Sequence, residues 1–148
     1  KKQTSKDGRI SLIGNNGWMT REGHRARFDQ QPIEAMAMVE ACAEAYRCTR
    51  ERIWLDRTRA FFGWFLGNND TQSVLCDFST GGCRDGLQAD GPNLNQGGES
   101  TLAWLIALLS LHDLNRSMDE DDGSMNKPKK FDLTSHSGKT IDANRENK

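Results

Sequence analysis

The sequence has no cysteines spaced as Cys-x2-Cys, no excess of one charge, one tyrosine and three prolines. Each shortage excludes something. The four cysteines, at 42, 48, 76 and 83, and three scattered histidines do not cluster as zinc ligands do. The expectation is therefore no metal, no cofactor, and thiols that are free or structural. Twenty basic residues against twenty-one acidic ones leave a net charge of −1, so bulk charge implies no nucleic-acid partner. The longest apolar run, 102–111, is about half of the roughly 20 residues that a membrane span needs. No apolar segment follows Lys1 and Lys2, so no signal peptide is expected and a reducing cytoplasm is the expected compartment.

Among what is present, the 148 residues fit a single domain. Residues 1–8 read as a frayed end and "RISLI", 9–13, as a short strand. "GNNGW" reads as a turn that exposes Trp18, and 19–31 as a long loop. The spacing then predicts a helix over 32–47, with Pro32 at the first helical position and small residues at Ala35, Ala37, Ala41, Ala43 and Ala45. Small residues permit close helix–helix approach. Thr49 is the expected N-cap of a second helix, 50–66, which carries Ile53, Trp54, Phe61, Trp64 and Phe65 at helical spacing. So short a connection makes an antiparallel αα-hairpin.

Residues 81–98 read as one long loop, and loops of that length inside a domain are functional or disordered. A third helix, 99–112, is apolar on nearly every face, which predicts burial all round. From 115 to 148 apolar residues are few and charges cancel, so a disordered tail is expected. Its "DEDDG" fails as a calcium loop, because Met118 and Lys129 would fall at the first and twelfth ligand positions.

The loop "DGLQADGPNLNQGGES" concentrates polar groups directly before the apolar helix. Helix capping accounts for one or two of them. A phosphate site lacks the lysine of a P-loop, and Glu99 would repel the anion. A sugar site accounts for the set Asp85, Asp90, Asn93, Asn95 and Gln96. Sugar hydroxyls need donors and acceptors on a rigid rim, which amides and carboxylates supply. Carboxylate pairs also perform acid/base work on glycosidic bonds. Asp85 and Glu99 are the candidate catalytic pair. Trp18 and Trp64 are the candidate platforms for a sugar ring; core packing is the favoured alternative for Trp64, exposure is expected for Trp18, and Trp104 is expected in the core.

Four stretches, "DQQPIEAMAMVEACAEAYR", "WFLGNND", "STGGCRDGL" and "NLNQGGESTLAWLIALL", together resemble the C-terminal part of a bacterial family of glycosyltransferases and glycosyltransferase-associated proteins. That family looks like the six-hairpin glycosidase superfamily, an α/α toroid of helical hairpins around a carbohydrate cleft. The resemblance covers 9 to about 114. It implies a mainly α-helical, partial toroid over 9–114, with long active-site-type loops, followed by a separate tail over 115–148. It implies glycosyl transfer or glycosidic bond processing in the intact relatives, on a carbohydrate or nucleotide sugar. An upstream glycosyltransferase domain or self-association is the implied partner. By motif position it adds Gln30 and Gln31 to Asn93, Asn95, Gln96 and Trp18 as substrate-binding residues. A full toroid has about twelve helices in the family pattern and three are expected here, so the chain is expected to be a fragment, inactive alone. Two alternatives stand beside this reading: a non-catalytic carbohydrate-binding or partner-docking module, and a sugar epimerase or isomerase, for which His24 would be the acid/base residue.

Overall fold

The computed structural model describes residues 3–5 and 7–125. The chain is mainly helical. Helix α1 is Pro32–Thr49 and α2 is Arg52–Gly63, continued by one 3-10 turn, Trp64–Leu66. A two-stranded antiparallel sheet, β1 (Leu87–Gln88) with β2 (Gly91–Pro92), precedes α3, Gly98–Met125.

α1 starts as its sequence predicts, on Pro32. It ends two residues later than expected. Thr49 is its last residue, with the hydroxyl turned back to the Ala45 carbonyl at 2.8 Å. The N-cap of α2 is Glu51, not Thr49. Arg50 makes the corner in the left-handed region (φ 58°), its N–H bonded to the Tyr46 carbonyl at 2.8 Å and its guanidinium over the Tyr46 ring. A two-residue corner forces α2 to run antiparallel to α1, as the αα-hairpin reading requires.

α3 packs on α1 in parallel. Trp104 and Ala107 share a core with Ala35 and Val39 near the N-terminal halves, and Leu114 packs with Ala43 and Leu55 further along. Trp104 stacks on Phe62 (5.3 Å between centroids, 25° between planes) and lies 5.4 Å from Phe65. Trp64 meets Phe65 edge-on at 5.3 Å. Such aromatic pairs add roughly 0.5–1.5 kcal/mol each beyond their buried area.

Two expectations for α3 are corrected. The helix does not stop at 112: it continues to Met125, and Leu114 and Met118 prolong its packed stripe onto Ala43, Leu55 and Tyr46. The expected tail from 126 onward lies outside the described residues. Nor is α3 buried all round. Leu102 is 60% and Leu109 61% exposed, and Leu105, Ile106 and Leu108 are also on the surface. Two other helices can cover only one side of it.

The irregular segments are more ordered than a loop reading implies. "RISLI" is not a strand. Ile10 forms a single bridge with Thr4, which also ties down the end expected to fray, and Ile10 and Leu12 are buried. A second bridge joins Met19 to Arg25. The segment after the 3-10 turn is built on Asn69, which is fully buried. Its amide donates to the carbonyls of Trp64 (2.8 Å) and Ser73 (2.7 Å), and its oxygen accepts from the N–H groups of Thr71 and Ser73.

Gln30 holds these pieces to the helices. It is fully buried. Its Oε1 accepts from Trp64 Nε1 at 2.8 Å and from Leu12 N at 3.2 Å. Its Nε2 donates to the Arg27 carbonyl at 2.7 Å and to Asp70 Oδ2 at 2.6 Å. Its backbone pairs with Leu87 in both directions, at 3.1 and 2.8 Å. All four side-chain positions of the amide are occupied, so Gln30, expected among the substrate-binding residues, has no hydrogen-bonding position left for a ligand in this arrangement.

The neighbouring glutamines therefore separate in a mutational test. Gln30→Leu strands a buried indole N–H, a buried backbone N–H and a buried carboxylate oxygen. It is expected to lower stability by at least about 2 kcal/mol, read as a drop in the urea midpoint. Gln31→Leu, at a half-exposed N-cap with no side-chain cap bond, is expected to change it by no more than about 0.5 kcal/mol.

Candidate functional site

α1 and α3 run parallel, so their first turns lie at the same end of the bundle. The loop from 77 to 97 is gathered there. What holds it is a pair of aspartates.

Asp85 closes the base of the hairpin. Its N–H donates to the Asn95 carbonyl at 3.0 Å, and Asn93 N donates to the Gly86 carbonyl at 2.8 Å, which extends the β1–β2 ladder downward. Its carboxylate accepts from the Asn95 amide and from Gly97 N, the latter at 2.5 Å. Gly97 in turn accepts the Thr101 N–H at 3.1 Å, the first turn of α3. Asp85 thus serves as an anchor at the helix N-terminus, where a negative charge is favoured. Glycine at 97 leaves room for this carboxylate, since a Cβ there would meet Asp85 Oδ1 at 2.8 Å and the carboxylate would have to shift. Burial works against ionising Asp85, but the donors from Gly97, Asn95 and Ser100 outweigh it and hold the carboxyl below the ordinary range.

Asp77 makes the second latch. It accepts from Ser79 Oγ at 2.6 Å, Ser79 N at 3.0 Å and Gln96 Nε2 at 3.1 Å. The Ser79 hydroxyl and N–H, then Gln96, bring its carboxyl down to about 2, against a small burial penalty. Gln96 Oε1 accepts from Thr80 Oγ1 at 3.1 Å, so this amide is clamped by one short turn. A Cβ on Gly82 would lie 2.1 Å from Gln96 Oε1, and only glycine lets the amide in. Arg84 spans the same turn, 3.9 Å from Asp77 and 2.5 Å from the Leu94 carbonyl.

The expected site residues divide accordingly. Asp85, Asn93, Asn95 and Gln96 are brought together, but each spends hydrogen bonds on building the loop. Asn93 Oδ1, for example, accepts the Asn95 N–H at 2.9 Å. Glu99 stands exposed in the first turn of α3. A polar cleft of about 510 Å³ lies beside Asn93, between Gln88, Asp90, Pro92 and Leu94, and Leu94 is 86% exposed. Gln31 lies half-buried at the start of α1, and Gln30 is in the core.

Trp18 is 66% exposed, as its turn sequence predicts, while Trp64 and Trp104 are buried. Its backbone is left-handed (φ 56°), a conformation that is an outlier for a bulky residue. The Trp18 turn is braced by Trp18 N to the Gly14 carbonyl (3.1 Å), Ala26 N to the Trp18 carbonyl (2.7 Å) and Asn15 N to the Asp29 carbonyl (2.9 Å). Asp29 adjoins Gln30, which pairs with Leu87. The Trp18 turn and the Asp85 loop therefore share one hydrogen-bonded base.

One residue was missed by sequence reasoning. Glu34, in the first turn of α1, has a buried carboxylate oxygen with no partner among the described residues. Burial pushes its carboxyl above the ordinary value of 4.5. The sequence shows only an acid favourably placed for the helix dipole, and nothing in it signals the burial. Among the described residues no group of three His, Cys, Asp or Glu side chains could hold a metal ion, and no helix is long and apolar enough to cross a membrane. His24 is exposed in the 20–24 turn. His112, expected at a helix end, lies inside the longer α3, 3.7 Å from Asp113.

No family model matches the chain, and no curated protein matches it.

Two carboxyls give opposite pH signatures. The folded value of Asp77 is depressed from 3.8 to about 2, so its contribution to stability is complete above the ordinary value and is lost as pH falls through the folded one. Thermal melts between pH 4 and pH 2 are expected to fall more steeply for the wild type than for Asp77→Asn. Glu34 is raised above 4.5, so its contribution is complete below that pH and is lost as pH rises through the folded value. Glu34→Gln is expected to raise Tm at neutral pH and to have no such effect below the ordinary value.

Proposed function

We propose that this chain is the carbohydrate-recognition part of a carbohydrate-active protein, a partial α/α toroid whose intact relatives carry out glycosyl transfer or glycosidic bond processing. The observation that carries the reading is Trp18: a large aromatic face, mostly exposed, held in a strained backbone on a braced turn that is tied through Asp29 and Gln30 to the base of the polar loop. Strained backbone persists only where surrounding structure enforces it, and it concentrates at binding sites. A sugar ring offers a C–H face to such a platform and hydroxyls to the rim. The parallel α1 and α3 with antiparallel α2 agree with nested helical hairpins.

Within this reading Asp85 is an anchor rather than a proton donor, since it is ionised and its oxygens are engaged. Glu99 and Asp90 are exposed carboxylates that can meet a ligand, and Glu34 is a carboxyl whose surroundings favour the protonated form. The saturation of Asp85 specifically favours recognition over catalysis for this chain. That makes the non-catalytic carbohydrate-binding module the second reading. The epimerase reading has only an exposed His24 to rest on.

The test is a titration of the chain with a panel of free saccharides and nucleotide sugars, followed by calorimetry or tryptophan fluorescence. One sugar class is expected to bind. Trp18→Ala is expected to weaken it at least tenfold, about 1.4 kcal/mol, with Tm retained. Glu99→Gln is expected to weaken a binding mode that uses the carboxylate and to leave pure stacking intact. Binding that survives Trp18→Ala unchanged, or no binding by any sugar to a cooperatively folded chain, would sink the proposal.

A further inference from the structure

Cys76 and Cys83 face each other across a single antiparallel bridge. The flanking bonds define what kind of pair they are. Asp77 N donates to the Gly82 carbonyl at 2.8 Å on one side, and Arg84 N donates to the Leu75 carbonyl at 2.8 Å on the other. The cysteines themselves exchange no backbone bond. In such a non-hydrogen-bonded pair the Cα atoms approach to about 4.5 Å, with the side chains on one face. A disulfide spans Cα separations of about 4.4–6.8 Å. Both thiols are free, both residues are buried, and both belong to the same core cluster. Each sulfur rests against a backbone carbonyl, Cys76 Sγ 3.7 Å from Phe65 O and Cys83 Sγ 3.5 Å from Arg84 O.

We propose that Cys76 and Cys83 are a disulfide-forming site that staples the 77–82 turn at its base. The two thiols lose two protons and two electrons as the S–S bond forms. The electrons reduce the S–S bond of a small-molecule disulfide, such as oxidised glutathione, to two thiols, by exchange through a mixed disulfide. The ring so closed contains Asp77 and Thr80, the two residues that clamp Gln96. In the reduced chain the base of that turn is held only by non-covalent contacts: backbone bonds, the Cys83 N–H to Thr101 Oγ1 and the Arg84–Asp77 ion pair. The bond would close covalently the turn that presents Asp77 and Thr80 to Gln96, and this follows whatever ligand the rim takes.

The surroundings also set the kinetics. Burial first, then neighbouring Cys76 and Asp85, push the Cys83 thiol up to about 12, and burial raises Cys76 as well. Little thiolate exists at neutral pH, and thiolate is the attacking species. Exchange in the folded chain is slow in both directions, so a bond once made persists. Cys48, exposed at the end of α1, is the thiol that reacts quickly, and it forms only mixed disulfides.

The experiment equilibrates the full chain in a glutathione redox buffer at neutral and at alkaline pH. Free thiols are then alkylated in denaturant and the peptides mapped. The expected product lacks two hydrogens and yields a peptide joining Cys76 to Cys83, formed faster at alkaline pH and equally by Cys48→Ser. Against the reduced wild type, the oxidised wild type is expected to melt higher and to exchange amides over 77–82 more slowly, so no variant needs to fold for the readout. Cys76→Ala/Cys83→Ala should show no redox dependence of Tm. Recovery of both residues as free thiols after alkaline equilibration, or pairing with Cys42 or Cys48 instead, overturns the site. A linked peptide with unchanged exchange over 77–82 overturns the staple.

Discussion

A single buried carboxamide, that of Gln30, ties the irregular half of this chain to its helices. The helices alone would pack through Ala35, Val39, Phe62 and Trp104. The loops have no such apolar faces to spare, and their backbone groups must find partners wherever they are buried. Gln30 supplies those partners at one point. It reaches the Trp64 indole, the Leu12 N–H, the Arg27 carbonyl and Asp70 with its side chain, and Leu87 with its backbone. Loss of this amide would leave several segments without their shared support, whereas loss of an apolar contact would affect only one. The Arg27–Asp70 ion pair at 3.1 Å is part of the same junction, since Asp70 is buried and its other oxygen takes the Gln30 amide.

From that junction the rim is built outward by division of labour. Asp85 and Asp77 each accept three or more donors, and both are held ionised well below neutral pH. Carboxylates so satisfied are structural anchors, because their lone pairs are directed at the protein. Asn95 and Gln96 point part of their polar capacity inward for the same reason. Outward remain Trp18, Gln88, Asp90, Leu94 and Glu99, among others, on segments whose geometry the inward bonds hold. A rigid rim is what polyhydroxyl recognition needs, since ordering a loose loop on binding would consume the small free energy that each hydroxyl bond returns.

The regular elements were legible because their signals are local. Pro32, the small residues of α1, the aromatic spacing of α2 and the short connection suffice for the hairpin, and turn chemistry suffices to expose Trp18. The misreadings have physical causes. Gln30 and Gln31 are adjacent and chemically identical, and only the junction around them decides that one is core and the other a cap. α3 was cut short because its tail composition is polar on average. The packed stripe Trp104, Ala107, Leu111, Leu114 and Met118 nonetheless runs through at alternating steps of three and four, a signal that outweighs composition. Its apolar surround was read as full burial, but hydropathy cannot count how many neighbours are there to cover it. The polar loop residues do lie together in one hydrogen-bonded loop. Their roles were not readable, because a carboxylate that binds a ligand and one that anchors a loop look alike in sequence.

The location of strain argues that the Trp18 turn is more than a connection. Left-handed residues other than glycine cost of order 1–3 kcal/mol each. Two of them, Trp18 and Asp29, frame this one segment, although glycine stands next to Trp18 at Gly17 and could have taken the unusual corner alone. Gly17 is itself at positive φ, with Ala26 close beneath. Bonds between Gly14 and Ala26, Asn15 and Asp29, and Ala26 and Trp18 offset the strain. Arg50 and Gln72 adopt the same backbone in exposed corners, so what sets this turn apart is the large aromatic side chain it carries. Here the indole is kept at the surface and its backbone is braced from below, by the same junction that fixes the polar rim. An aromatic face and a hydrogen-bonding loop are thus tied to one hydrogen-bonded base, through Asp29, Gln30 and Leu87.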